Sequence, residues 1–179
     1  SDLKKITSNV IIKSNIRLSN ILRRIYMEYN EARIYVNQYC KLRDVQFAAY
    51  EMYARKHKLT AKELFVLDII LFTPKGCLQS EICERLSSTK QTISAIIKKF
   101  LKQGYVTLTE SETDRRNKIV RFTNSGIEYA KKIILPAAEA EIEAMRKLSD
   151  EDISELVRLT TLFSHHMKEK FEKIQEVKQ

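Results

Sequence analysis

Residues 80–104 read SEICERLSSTKQTISAIIKKFLKQG, and the spacing within them decides the fold. Apolar residues recur at helical intervals on either side of a polar joint, Ser87-Ser88, which predicts two short helices. Two helices that cross steeply need a small residue where they touch and apolar residues at fixed offsets behind it. With Cys83 as the small contact residue, Ile82 lies one before it and Leu86 three after. Ile93 and Ile96 fall ten and thirteen after, on the inner face of the second helix. The joint departs from the common pattern in two places. Ser87 stands where glycine is usual, and Ser88 where an apolar residue is usual. Gly104 then closes the second helix as a left-handed cap.

Downstream, Tyr105 to Thr109 alternates apolar and polar, with Val106 and Leu108 on one face; Lys118 to Phe122 alternates again, with Val120 and Phe122 together. These are two short strands joined by a polar loop, Glu110 to Asn117. Helix, turn, helix, strand, charged loop, strand is the order of a winged helix. The expected class is mainly α: a winged helix-turn-helix with a two-stranded wing, carried on a helical dimerisation scaffold.

The second helix of the pair opens at Thr89 as N-cap, or at Ser88, because Ser88-x-x-Gln91 also makes a capping box. Its outward side chains Lys90, Gln91, Thr92, Ser94 and Lys98 are donor-rich, the kind that reach base edges and phosphates in a major groove. A solvated amphipathic helix would read the same way in isolation. The loop adds Asp114-Arg115-Arg116 at the wing tip, where a guanidinium can enter the minor groove and Asp114 can orient it. The expected partner is therefore double-stranded DNA, met by Thr89, Lys90, Gln91, Thr92, Ser94, Lys98, Asp114, Arg115 and Arg116.

Before the helix pair, Thr60-Ala61-Lys62-Glu63 is a capping box flanked by Leu59 and Leu64 as a hydrophobic staple. The helix it opens ends at the turn Thr73-Pro74-Lys75-Gly76. Residues 16–57 hold no glycine or proline and repeat apolar residues at helical spacing. Such a length predicts two helices with a break near Asn30. Residues 124–147 form an alanine-rich helix containing Pro136, which should kink it or cost it one hydrogen bond. Ser149-Asp150-Glu151-Asp152 opens a last helix through Leu156, Leu159, Phe163 and Met167. Neither of these last two helices makes a full core alone, which favours burial against another molecule.

Composition narrows the function classes. The formal net charge is +9 over 179 residues. It is unevenly placed: +7 in residues 1–59, +4 in 60–125 and −2 in 126–179. A basic body with a mildly acidic tail suits a polyanionic partner for the first two-thirds. With three glycines there is no glycine-rich phosphate loop. No nucleophile elbow or His-Glu-x-x-His run occurs, so no catalysis and no cofactor are expected. His165 and His166 are adjacent and point about 100° apart on a helix, a poor metal pair. Cys40, Cys77 and Cys83 form no Cys-x-x-Cys pair and no disulfide framework. No long apolar run or leader-like start is evident, so a cytoplasmic protein without membrane association is expected.

The chain resembles the MarR family of bacterial regulators, named for multiple antibiotic resistance. The resemblance is carried by Leu59-Thr60-Ala61-Lys62-Glu63, by Lys102-Gln103-Gly104-Tyr105-Val106, and by Asp114-Arg115-Arg116 followed by a strand and Thr123-x-x-Gly126. Leu148-Ser149-Asp150-Glu151-Asp152 also matches. The resemblance spans roughly residues 37–179 and implies a division into a 1–36 extension, a 37–58 scaffold helix, a 59–122 winged helix and 123–179 dimerisation helices. It implies a homodimeric transcription regulator, usually a repressor, on a near-palindromic operator. It also implies a small aromatic effector, for which Tyr50, Tyr53, Phe65 and Phe72 are candidates, although such aromatics are often plain core. Two other readings stand beside it. One is a thiol-based oxidant sensor using Cys40, which lies close to Leu59 for that subgroup; the other is a winged-helix protein-interaction module that does not bind DNA.

Overall fold

The computed structural model describes residues 28–110 and 118–176. The chain divides into two compact units, one up to Met52 and one from Tyr53 onward.

Within the first unit the described residues form most of helix α1, Tyr29–Lys56. The helix begins next to Asn30, where a break was expected, and then runs unbroken through residues 36 and 37. The boundary drawn there from the resemblance falls inside one element. No glycine or proline interrupts this stretch, so nothing local stops the helix. Along it Tyr29, Ile34, Tyr35, Tyr39, Leu42 and Val45 are exposed.

The second unit holds the last turn of α1 and all later elements. Helix α2 is Ala61–Leu71; strand β1, Cys77–Leu78; helix α3, Gln79–Arg85; helix α4, Lys90–Lys102. Strands β2, Val106–Glu110, and β3, Lys118–Phe122, follow, then helices α5, Asn124–Met145, and α6, Asp150–Glu176.

The capping box of α2 forms as its sequence predicts. The Thr60 hydroxyl accepts the Glu63 N–H at 3.2 Å, and the Glu63 carboxylate accepts the Thr60 N–H at 2.9 Å. At α6 the Ser149 hydroxyl accepts the Asp152 N–H at 3.1 Å and donates to the Asp152 carboxylate at 2.7 Å. The aspartate arm is one methylene shorter than a glutamate's and meets the hydroxyl. Helix α5 continues through Pro136, whose ring nitrogen has no proton for the helix ladder.

The sheet has three antiparallel strands in the order β1-β3-β2. The expected two-stranded wing thus gains β1, which pairs Cys77 with Val120 and Leu78 with Ile119. Two residues are too few to show alternation, so the sequence pattern gave no sign of it. In the β2–β3 pair Val106 faces Phe122 and Leu108 faces Val120, placing the predicted apolar face on one side. The core gathers there and beneath the helix pair. Val106, Val120, Leu67, Ile70, Ile82, Ile93, Ile97 and Phe100 are all buried.

Candidate nucleic-acid interface

Helix α4 is strongly two-sided. Ile93, Ile96, Ile97 and Phe100 are buried along one face. At 100° per residue, Gln91, Ala95, Lys98 and Lys102 form a line diametrically opposite, and all four are exposed. The exposed line therefore carries one amide, one methyl group and two ammonium groups. Lys90, at the first turn, and Thr92, on the flank, are exposed as well.

The helix start is settled in favour of Thr89. Its backbone is extended and its hydroxyl accepts the Thr92 N–H at 3.2 Å. The hydroxyls of Thr89 and Thr92 also lie 2.9 Å apart and are bonded to each other at the helix tip. Ser88 serves elsewhere: its Oγ receives the Lys62 Nζ at 2.6 Å. The joint residue Ser87 adopts φ +45°, the left-handed backbone for which glycine is the usual choice.

Ser94 is turned away from the outward face on which the sequence places it. It is half-buried, and its Oγ receives the Gln79 Nε2 of α3 at 2.7 Å. A position 60° off the exposed line faces the neighbouring helix, a distinction that a list of polar residues does not make. Ala95 and Lys102 stand outside the expected set but are exposed on the same line. Helical phase would have found both, since they share the line of Gln91 and Lys98.

Both ends of the wing region are firmly built. Gly104 has φ +75° and an open space around it, so it terminates α4 as predicted. The Thr123 hydroxyl caps α5 by accepting the Gly126 N–H at 3.0 Å, and it donates to the Gly104 carbonyl at 2.7 Å. Arg121 ties the sheet together: its Nε donates to the Lys75 carbonyl at 2.9 Å, and a terminal nitrogen donates to the Thr109 hydroxyl at 2.6 Å. Asp114, Arg115 and Arg116 lie outside the described residues.

The four candidate effector aromatics are scattered in character. Tyr50 is half-buried in the first unit. In the second, the Tyr53 hydroxyl donates to the Ile133 carbonyl at 2.7 Å, and burial holds its phenol above the ordinary range. Phe65 is half-buried, whereas Phe72, at the end of α2, is 60% exposed. A cavity of about 290 Å³ lies between Ile70, Pro74, Arg121, Phe122, Ile127 and Lys131, and none of the four aromatics lines it.

Among the described residues no group of three or more histidine, cysteine or acidic side chains could hold a metal ion. No described helix is long and apolar enough to cross a membrane.

A packed pair of short helices backed by a three-stranded sheet, with one polar and cationic helix face left open, defines a winged helix-turn-helix protein. Residues 57–117, which contain that helix pair, match the family model of the MarR family. Solved structures extend the likeness in fold. A MarR family regulator from Neisseria meningitidis superposes with a TM-score of 0.67 at 22% identity, covering 77% of this chain and 96% of that one. AbsC, a MarR family transcriptional regulator from Streptomyces coelicolor, gives 0.66 at 18%, covering 80% and 97%. The MepR–DNA complex from S. aureus gives 0.61 at 20%, covering 71% and 97%. Among curated protein sequences none matches the chain.

Proposed function

We propose that this chain is a sequence-specific transcription regulator that binds duplex DNA through α4 and the wing. The observation that carries the reading is the exposed line Gln91–Ala95–Lys98–Lys102, directly opposite the buried face of the same helix. The two lysines are placed for phosphates, and Gln91 for a base edge, where it can bond adenine with both its amide atoms. Ala95 leaves room for close approach to a thymine methyl. Arg115 and Arg116, steered by Asp114, would reach the minor groove beside it. The solved complex of MepR with DNA supports the same use of the fold here.

The active form is a homodimer. Helix α1 exposes Tyr29, Tyr35, Leu42 and Phe47; helix α6 separately exposes Leu156, Leu159, Phe163 and Phe171. Apolar side chains in such number call for a partner surface, and a second copy supplies one by twofold symmetry. Two recognition helices then stand roughly 34 Å apart and read a near-palindromic operator. Occupying that operator blocks transcription, which makes the regulator a repressor. A small aromatic acid suits the cavity beside Arg121 and Lys131 as effector.

Fluorescence anisotropy with the duplex upstream of the protein's own gene tests the reading. Saturable binding at low salt is expected, and Lys98→Glu with Lys102→Glu should abolish it. No binding by the unmodified chain at low salt would overturn the proposal.

A further inference from the structure

Two polar contacts grip α4 on opposite flanks of its exposed line. On one flank Lys99 Nζ meets Glu63 Oε1 of α2 at 2.7 Å. On the other, Gln79 Nε2 of α3 meets Ser94 Oγ at 2.7 Å. In helical phase Lys99 lies about 80° to one side of Gln91, and Ser94 about 60° to the other.

Glu63 and the start of α3 are themselves held. Glu63 is 9% exposed, and its second carboxylate oxygen already accepts the Thr60 N–H, so the carboxylate cannot swing with the lysine. Gln79 starts α3 next to Leu78, whose N–H is held by the Glu81 carboxylate at 2.8 Å. A third contact, Lys62 Nζ to Ser88 Oγ at 2.6 Å, pins the joint just ahead of the helix.

Burial of Ile93, Ile96, Ile97 and Phe100 fixes which face of α4 points inward but, being non-directional, leaves some freedom of roll about its axis. Two polar contacts on opposite flanks remove that freedom. Roll is the coordinate that decides which side chains point into a groove. We infer that Glu63–Lys99 and Gln79–Ser94 form a roll clamp that sets the base preference of α4, with Ser94 and Lys99 acting as positioning residues and touching neither base nor phosphate. The inference rests on the DNA-binding reading for its consequence, but the clamp itself does not.

The test uses the full chain and its Lys99→Met, Lys99→Arg and Gln79→Met variants. The probes are the duplex upstream of its own gene and a random-sequence duplex of equal length. Lys99→Met and Gln79→Met should each weaken binding to the upstream duplex about tenfold, the size of one lost base contact. Affinity for the random duplex and the salt dependence should stay unchanged, and Lys99→Arg should restore the preference. A Lys99→Met protein that binds both duplexes equally less well, with a salt slope smaller by about 1, would make Lys99 a phosphate contact and overturn the clamp.

Amide exchange of the DNA-free protein separates the two readings. Should the unmodified chain not tell the duplexes apart, the DNA reading fails, and the clamp is judged by exchange within α4 alone. Faster exchange at Ile96 to Phe100 in Lys99→Met and Gln79→Met supports the clamp. Unchanged exchange in both overturns it.

Discussion

Gly126 lies so close to the backbone of Tyr105 that a Cβ built on it would stand 1.8 Å from the Tyr105 carbonyl oxygen. That contact seats the first turn of α5 on the start of β2, and the neighbouring Thr123 N–H donates to the same carbonyl at 2.9 Å. The Thr-x-x-Gly signature thus has two physical jobs, a cap and a close approach. Gly126→Ala must push a helix off a strand. It should lower unfolding free energy by about 3 kcal/mol, the upper range for overpacking. Urea denaturation should show a lower midpoint with an unchanged slope.

The joint between α3 and α4 stores strain at Ser87. A non-glycine residue in the left-handed region costs about 1–2 kcal/mol, part of which glycine's greater chain entropy cancels. Ser87→Gly should therefore raise stability by about 0.5 kcal/mol, and Ser87→Val should lower it. Paired thermal melts of the three proteins check the order.

Asp68 sets a pH dependence of known sign. Burial raises its pKa above the ordinary value, the nearby Glu141 carboxylate adds to the rise, and Arg85 opposes it. The folded protein then binds this proton more readily than the unfolded chain. Stability contributed by the group is greatest at low pH and falls as pH climbs from about 3.9 through the folded value. Asp68→Asn should stabilise the protein at pH 7 and give no gain below that window. Denaturation at both pH values decides it.

Cys77 is buried within strand β1 of the sheet, and burial pushes its thiol up to about 11, with Glu81 adding to the rise. It stays a protonated thiol at neutral pH and is a poor nucleophile. A thiol reagent at pH 8 should label Cys77 only after urea is added. Cys40 is half-buried on α1, and the thiol-sensor reading assigns the oxidant response to it. A Cys40→Ser protein that keeps its full peroxide response would end the thiol-sensor reading.

The elements legible in the sequence were those whose cause is local. Thr60 and Glu63 sit three apart and cap each other whatever lies around them. Gly104 marks a helix end because few residues other than glycine take that backbone readily. The shared apolar faces of β2 and β3 followed from alternation alone. What stayed hidden depends on neighbours distant in sequence. Strand β1 exists because β3 has a free edge at Val120 and Ile119. Ser94 turns inward because Gln79, fifteen residues earlier, is there to meet it. Lys99 and Lys98 are adjacent and chemically identical, yet one is bound to Glu63 and the other faces solvent. Only the placement of α2 distinguishes them.

Helix α6 has consequences for how the chain behaves in dilute solution. From Asp150 to Ile174 only Ile153 and Glu169 are partly shielded, so the helix takes little support from its own protomer. In the proposed homodimer this helix gains its support from a second copy, so its unfolding follows mass action and is linked to concentration. The midpoint of a thermal melt should climb as more protein is added. A cell holding few copies would then keep some of them in a form unable to span two half-sites, which makes abundance itself a control on occupancy.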